Sequence, residues 1–196
     1  VSNSVKDANK ILASVILNKK VAHVGHIERF NPVFMAFNNK KRSPLFIECH
    51  RLAEANNRSM DISVVLDLMI HDIDLVLQLI NSPIDDIIAD GVNIVSNSID
   101  LANVKLIFKN GCVVNLTASR ISNKNMRKMR IFEKKSYSSL DLMKKEFVEY
   151  NAIINESTKK MTFKNTKHII IENDALRQEL KDFCDCIQSK NISIAN

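Results

Sequence analysis

The run from Asp61 to Ile80, DISVVLDLMIHDIDLVLQLI, leaves this chain few choices. From Val64 onward its polar positions are Asp67, His71, Asp72, Asp74 and Gln78. At about 100° per residue, four of these fall within roughly 60° of arc, and Asp72 alone points elsewhere. The spacing predicts a helix buried on most of its circumference, with one narrow polar stripe of Asp67, His71, Asp74 and Gln78. His71 then has a carboxylate one turn away on each side. Such neighbours favour the imidazolium and orient the ring, which suits a general acid/base, whereas burial opposes the charged form. The competing reading is the solvated face of an amphipathic helix. A solvated face commonly spans half the circumference, so the narrow stripe favours a site.

A helix buried to that extent needs a core around it, and 196 residues with 45% apolar content can supply one. No apolar run of about 18 residues offers a membrane span, and the N-terminus lacks the order of a signal peptide, so a soluble, cytoplasmic protein is expected with no membrane partner. Cys49, Cys112, Cys184 and Cys186 form no paired framework and are expected to be free buried thiols, with no metal site. The formal charge of +6 is dispersed in small groups such as Lys19-Lys20, Lys134-Lys135, Lys144-Lys145 and Lys159-Lys160, at expected turns. With no Trp and two Tyr there is little to stack bases on, so no nucleic-acid partner is expected. An anionic small ligand, phosphorylated or nucleotide-linked, makes better use of a few positive charges.

In chain order, residues 3–18 have the spacing of an amphipathic helix, VAHVGHI at 21–27 reads as a short strand, and Asn31-Pro32 as a helix entry. PLFIECHRL at 44–52 reads as a strand. After the polar helix come IDDIIADGVNIV, DLANVKLIF, CVVNLTAS, MRKMRIFE and SYSSLDLM, five strand-like runs. Asn110-Gly111 between the second and third is a strong hairpin signal. Consecutive strands of this kind make an antiparallel sheet. A less regular stretch, a last strand at Lys167 to Ile171, and a helix over Asn173 to Ser189 packed on the sheet complete the pattern. The fold class expected is α+β: an open-faced, predominantly antiparallel sheet with helices on one face, preceded by the end of a doubly wound domain.

Five segments, VGHIERFNP at 24–32, ECHRL at 48–52, DISVVLDLMIHDIDL at 61–75, NGCVVNLTASRIS at 110–122 and ALRQELKDF at 175–183, together resemble the Gfo/Idh/MocA oxidoreductases, in the family's order. VGHIERFNP with LDLMIHDID is similar to the branch acting on UDP-N-acetylglucosamine-type nucleotide sugars. The resemblance implies NAD- or NADP-dependent hydride transfer at a ring hydroxyl carbon of a sugar or nucleotide sugar. By the same resemblance His71 is the proton-handling residue and Asp67 its carboxylate. Arg29 lies near cofactor and substrate, and Arg58, Asp61, Asp74 and Arg120 border the sugar pocket. Relatives commonly form homo-oligomers through the open sheet. The resemblance divides the chain into residues 1–30, the end of a dinucleotide-binding domain, and 31–196, a substrate and oligomerisation domain.

The family's Gly-x-Gly-x-x-Gly loop is absent here, since the glycines are only Gly25, Gly91 and Gly111, and no Glu-Lys-Pro motif occurs in the chain either. The chain is therefore expected not to hold the dinucleotide alone. Two readings remain open: the substrate-binding portion of an oxidoreductase, or an inactive, truncated relative retained as a sugar-binding or self-associating module.

Overall fold

The computed structural model describes residues 2, 4–54, 61–154, 158–171 and 173–189. They group into two compact units, Pro32–Glu172 and a second made of Val1–Asn31 with Asn173–Asn196.

The larger unit is one eight-stranded sheet with helices on one face. Its strands are β1 (Phe46–Glu54), β2 (Ile84–Val92), β3 (Leu101–Phe108), β4 (Val113–Ser122), β5 (Met126–Glu133), β6 (Ser136–Asp141), β7 (Glu146–Ile154) and β8 (Met161–His168). They lie in the order β2-β3-β4-β1-β5-β6-β7-β8. β1 runs parallel to β4, while the other neighbouring pairs are antiparallel. A parallel pair needs a long crossover, and the chain between these two strands provides it. It leaves β1, passes through the polar helix and the β2–β3 hairpin, and only then enters β4.

Alternation along the strands explains why one face is covered. Ile47 and Cys49 on β1, Val104, Leu106 and Phe108 on β3, Val114 and Leu116 on β4, and Met129 and Ile131 on β5 turn inward and are buried. A helix of Pro32–Asn38 and one of Ile70–Leu79 pack against this face, bringing Val33, Phe34, Phe37, Leu75 and Val76. The opposite face carries the other half of each strand. There Phe46, Phe132, Tyr137 and Tyr150 form a row across four strands, with ring centroids 5.8, 4.8 and 5.2 Å apart in turn. At the β3–β4 hairpin Gly111 has φ +85°, a left-handed conformation that Gly adopts at little cost. Dispersal of the basic pairs into turns is also observed: Lys19, Lys135, Lys145 and Lys159 have φ between 49° and 67°.

The smaller unit contains a helix of Val5–Leu17, capped by Ser4 Oγ accepting from the Asp7 N–H at 3.1 Å. A 3-10 helix of Ile27–Phe30 follows, and the C-terminal helix of Ala175–Ser189 packs against it. His23 contacts Phe183 and Phe30, at ring separations of 5.5 and 6.4 Å.

Four expectations need correction. Residues 21–27 are not a strand; the His26 N–H bonds to Val24 O at 2.7 Å in a tight turn, and the 3-10 helix begins at Ile27. A strand requires a neighbouring ladder, which no alternation in sequence can supply. The C-terminal helix, expected on the sheet, groups instead with the N-terminal segment. The irregular stretch holds β7 and most of β8, which ends at His168 rather than beginning at Lys167. β8 is an exposed edge strand held by backbone pairing, so its side chains carry no burial signal. All four cysteines are free, but Cys184 is exposed.

Candidate functional site

The polar helix is built from its N-terminus. Ser63 caps it: Ser63 Oγ accepts from the Val65 N–H at 3.2 Å, and Ser63 O accepts from the N–H groups of Leu66 and Asp67 at 3.0 Å each. The first turn, Val65–Met69, is π-helical, and α-helix continues over Ile70–Leu79. π turns are wider than α turns and recur at functional sites. Here the widened turn contains Asp67, so the constant angular step assumed from sequence fails between Asp67 and His71. Asp67 and His71 are both partly buried, Asp74 is buried, and Gln78 is exposed. The stripe therefore begins at the protein surface and runs into the interior at Asp74.

Asp72, pointing away from that stripe, is the residue that fixes it. Arg51 on β1 donates from Nε and Nη2 to Asp72 Oδ1 at 3.1 and 2.7 Å, with side-chain exposures of 3% and 6%. The pair locks the helix azimuth against the middle of the sheet, one residue from His71. The Cys49 thiol nearby is pushed well up, chiefly by burial, with the Asp72 charge adding and Arg51 opposing. It is thus an inert core thiol rather than a nucleophile.

A second buried pair lies at the start of the same helix. Asp100 is fully buried, and its Oδ2 accepts from the N–H groups of Ile94, Val95 and Ser96 at 2.7, 2.8 and 3.0 Å. Its Oδ1 accepts from Ser96 Oγ at 2.6 Å and lies 3.8 Å from Arg120 Nε. The Ser96 hydroxyl lowers the Asp100 carboxyl most, burial opposes it, and the three amides lower it further, leaving it well below the usual carboxylate range. Arg120, 6% exposed, donates from Nη2 to Ile62 O.

Of the residues expected at the site, the structure brings Asp67, His71 and Asp74 together on one helix. Asp61 is exposed just before it, and Arg120 is turned inward beneath the segment that leads into it. Arg29 lies in the last turn of the 3-10 helix of the smaller unit, partly buried. Arg58 lies outside the described residues.

The glycines test whether these residues suit a dinucleotide. Gly91 is inside β2, where an added Cβ would come within 2.9 Å of Ile99 Cγ2, and Gly111 is in a hairpin turn. Gly25 precedes a 3-10 helix of four residues. Among the described residues no glycine loop opens a helix that could cradle a pyrophosphate, so these residues do not fit a dinucleotide.

Residues 24–136 match the GFO/IDH/MocA C-terminal domain. The chain belongs to the GFO/IDH/MocA family. It is 32% identical over 183 residues, 93% of its length, to UDP-N-acetylglucosamine 3-dehydrogenase of Acidithiobacillus ferrooxidans, of which the match covers 58%. A solved structure of that enzyme aligns with a TM-score of 0.89 at 30% identity, covering 100% of this chain and 62% of the other. The aldose-aldose oxidoreductase of Caulobacter crescentus aligns with a TM-score of 0.79 at 12% identity, over 100% of this chain and 62% of that one, a likeness of fold alone. This family member thus spans about three fifths of the length of these relatives.

Sequence reasoning missed Arg51, Asp72 and Asp100. A signal for the first was present: Ile47, Cys49 and Arg51 share one side of an alternating strand, and an inward-facing Arg demands an acidic partner. Asp100 ends a Ser-Asn-Ser-Ile-Asp run that looks like an ordinary turn, and nothing local says that its carboxylate is enclosed.

Proposed function

We propose that this chain is the substrate-binding part of an NAD(P)-dependent oxidoreductase acting on a nucleotide sugar. His71 takes the proton from the reacting ring hydroxyl, and Asp67 supports the resulting imidazolium. Holding the dinucleotide falls to a part of the protein beyond these residues, in keeping with the greater length of the relatives. What carries the reading is the 32% identity to a UDP-N-acetylglucosamine dehydrogenase over nearly the whole chain. The partly buried His71 agrees with it, on a helix fixed from behind by Arg51 and Asp72. No helix among the described residues is long and apolar enough to cross a membrane, and a cytoplasmic location is part of the same proposal.

Calorimetric titration with UDP-N-acetylglucosamine, and separately with NAD and NADH, tests it. Saturable sugar binding is expected, weakened roughly tenfold or more by His71→Ala, the loss of about one charge-assisted hydrogen bond. Equal curves for parent and variant would remove His71 from the site. A folded sample that binds no sugar would refute the reading.

The open sheet face supports a second part of the proposal, self-association into a homo-oligomer. The row from Phe46 to Tyr150 continues into Met161 and Phe163, which are 59% and 60% exposed. A contiguous apolar face of this kind is uncommon on a monomer.

A further inference from the structure

We propose that Asp100 and Arg120 position the proton-handling helix, gripping its entry from the β2–β3 connection; the assignment rests on the function proposed for His71. Three bonds converge on the two residues that flank the Ser63 cap. Arg120 Nη2 and Ser98 Oγ both donate to Ile62 O, the latter at 3.2 Å, and the Val64 N–H donates to Ile99 O at 2.9 Å. Ile62 and Val64 are therefore held from the same side, by a loop that precedes β3 and by an arginine of β4. Between them Ser63 supplies both cap acceptors, one of which receives the Asp67 N–H itself.

The loop, in turn, is shaped by Asp100. Residues 94–96 wrap their N–H groups around one carboxylate oxygen, and the Ser96 hydroxyl takes the other. The backbone at Asp100 ties this knot to the sheet on both sides, its N–H donating to Val92 O at 2.9 Å and its C=O accepting from the Arg120 N–H at 3.0 Å. Arg120 thus joins Asp100 twice, through backbone and side chain, and passes the fixed position on to Ile62. A π turn departs from the preferred helix geometry and persists where surroundings impose it. Here the imposed element is the cap, and the grip on its two neighbours is what imposes it. Asp67 sits within that turn and His71 one turn beyond, so the loop sets where the carboxylate stands relative to the imidazole. Asp100 and Arg120 are positioning residues; both act through the helix.

The test uses Asp100→Asn in the full chain. The near-isosteric amide places a donor where the carboxylate accepted, so the knot opens while the core is untouched. Two readouts are followed: amide exchange at Val64, Leu66 and Asp67, and the titration midpoint of the His71 ring by NMR. Exchange at those three amides is expected to quicken at least tenfold more than in β4 and β5, as for a local opening. The His71 midpoint is expected to fall by about half a unit as the Asp67 carboxylate loses its place. A uniform loss of stability would raise exchange everywhere and leave the His71 midpoint of the folded state alone, and that result overturns the proposal. Should Asp100→Asn fail to fold, Arg120→Lys keeps a positive charge beside Asp100 but withdraws the guanidinium fork from Ile62 O. The same pair of shifts is expected from it, and their absence overturns the proposal equally. Neither readout involves sugar, so a failure of sugar binding refutes the function and not the clamp.

Discussion

Replacing Arg51 by Met leaves the Asp72 carboxylate enclosed with its cation removed. Both side chains are nearly sealed, 3% and 6% exposed, and the Nε and Nη2 bonds to Asp72 end on the same oxygen. Removing one member of such a buried pair costs about 3–5 kcal/mol, because the remaining charge keeps its desolvation penalty and loses its compensation. Replacing both, as in Arg51→Met with Asp72→Leu, should cost far less, since an apolar pair of similar volume is often neutral. Urea unfolding followed by tyrosine fluorescence suits the comparison. The chain has no Trp, and its two tyrosines, Tyr137 and Tyr150, lie on adjacent strands of the sheet unit, so the signal reports that unit alone. With a slope of about 2 kcal/mol/M, the single variant should lower the midpoint by roughly 1.5–2.5 M, and the double variant should recover more than half of the loss. A single variant within about 0.5 M of the parent would place the pair among solvated surface bridges and refute the claim that it fixes the helix.

A pH effect is expected at the far end of the sheet. Arg42 bonds Glu149 at 3.0 Å; burial alone would raise this carboxyl, but Arg42, His168 and Lys40 bring it below its usual value. A depressed carboxyl contributes stability that is present above its unfolded value, about 4.3, and lost as pH falls through the folded one. Glu149→Gln should therefore cost about 1–2 kcal/mol in urea unfolding at neutral pH, a gap that narrows below about pH 4; a gap independent of pH would contradict the sign. For self-association, Phe163→Glu should shift sedimentation velocity at micromolar protein from oligomer to monomer, with folding stability changed by less than about 0.5 kcal/mol. A parent protein that already sediments as a monomer would refute that use of the sheet.

Much of this architecture is readable in the chain itself. The run of residues 61–80 is too apolar to be anything but a largely buried helix, and its His and carboxylates stand out because polar groups inside such a run need a reason. Asn110-Gly111 between two strand-like runs specifies its hairpin, since only a residue free of Cβ takes φ near +85° without strain. The five family-like segments and their order likewise need no coordinates. These are local properties, periodicity and turn chemistry, which short-range sterics decide.

Other features are invisible until the strands are paired. VAHVGHI alternates well enough for a strand yet has no ladder to join, whereas MTFKNTKH carries little apolar pattern and is a strand because β7 supplies its hydrogen bonds. The π turn at Val65–Met69 and the burial of Asp72 and Asp100 depend on what stands opposite: Arg51 from one strand, Arg120 from its neighbour, and a loop more than thirty residues downstream. A sequence lists which groups carry charge. Which of those charges faces a ligand and which holds the frame is decided by partners brought from far along the chain, through desolvation and pairing that exist only in the folded state.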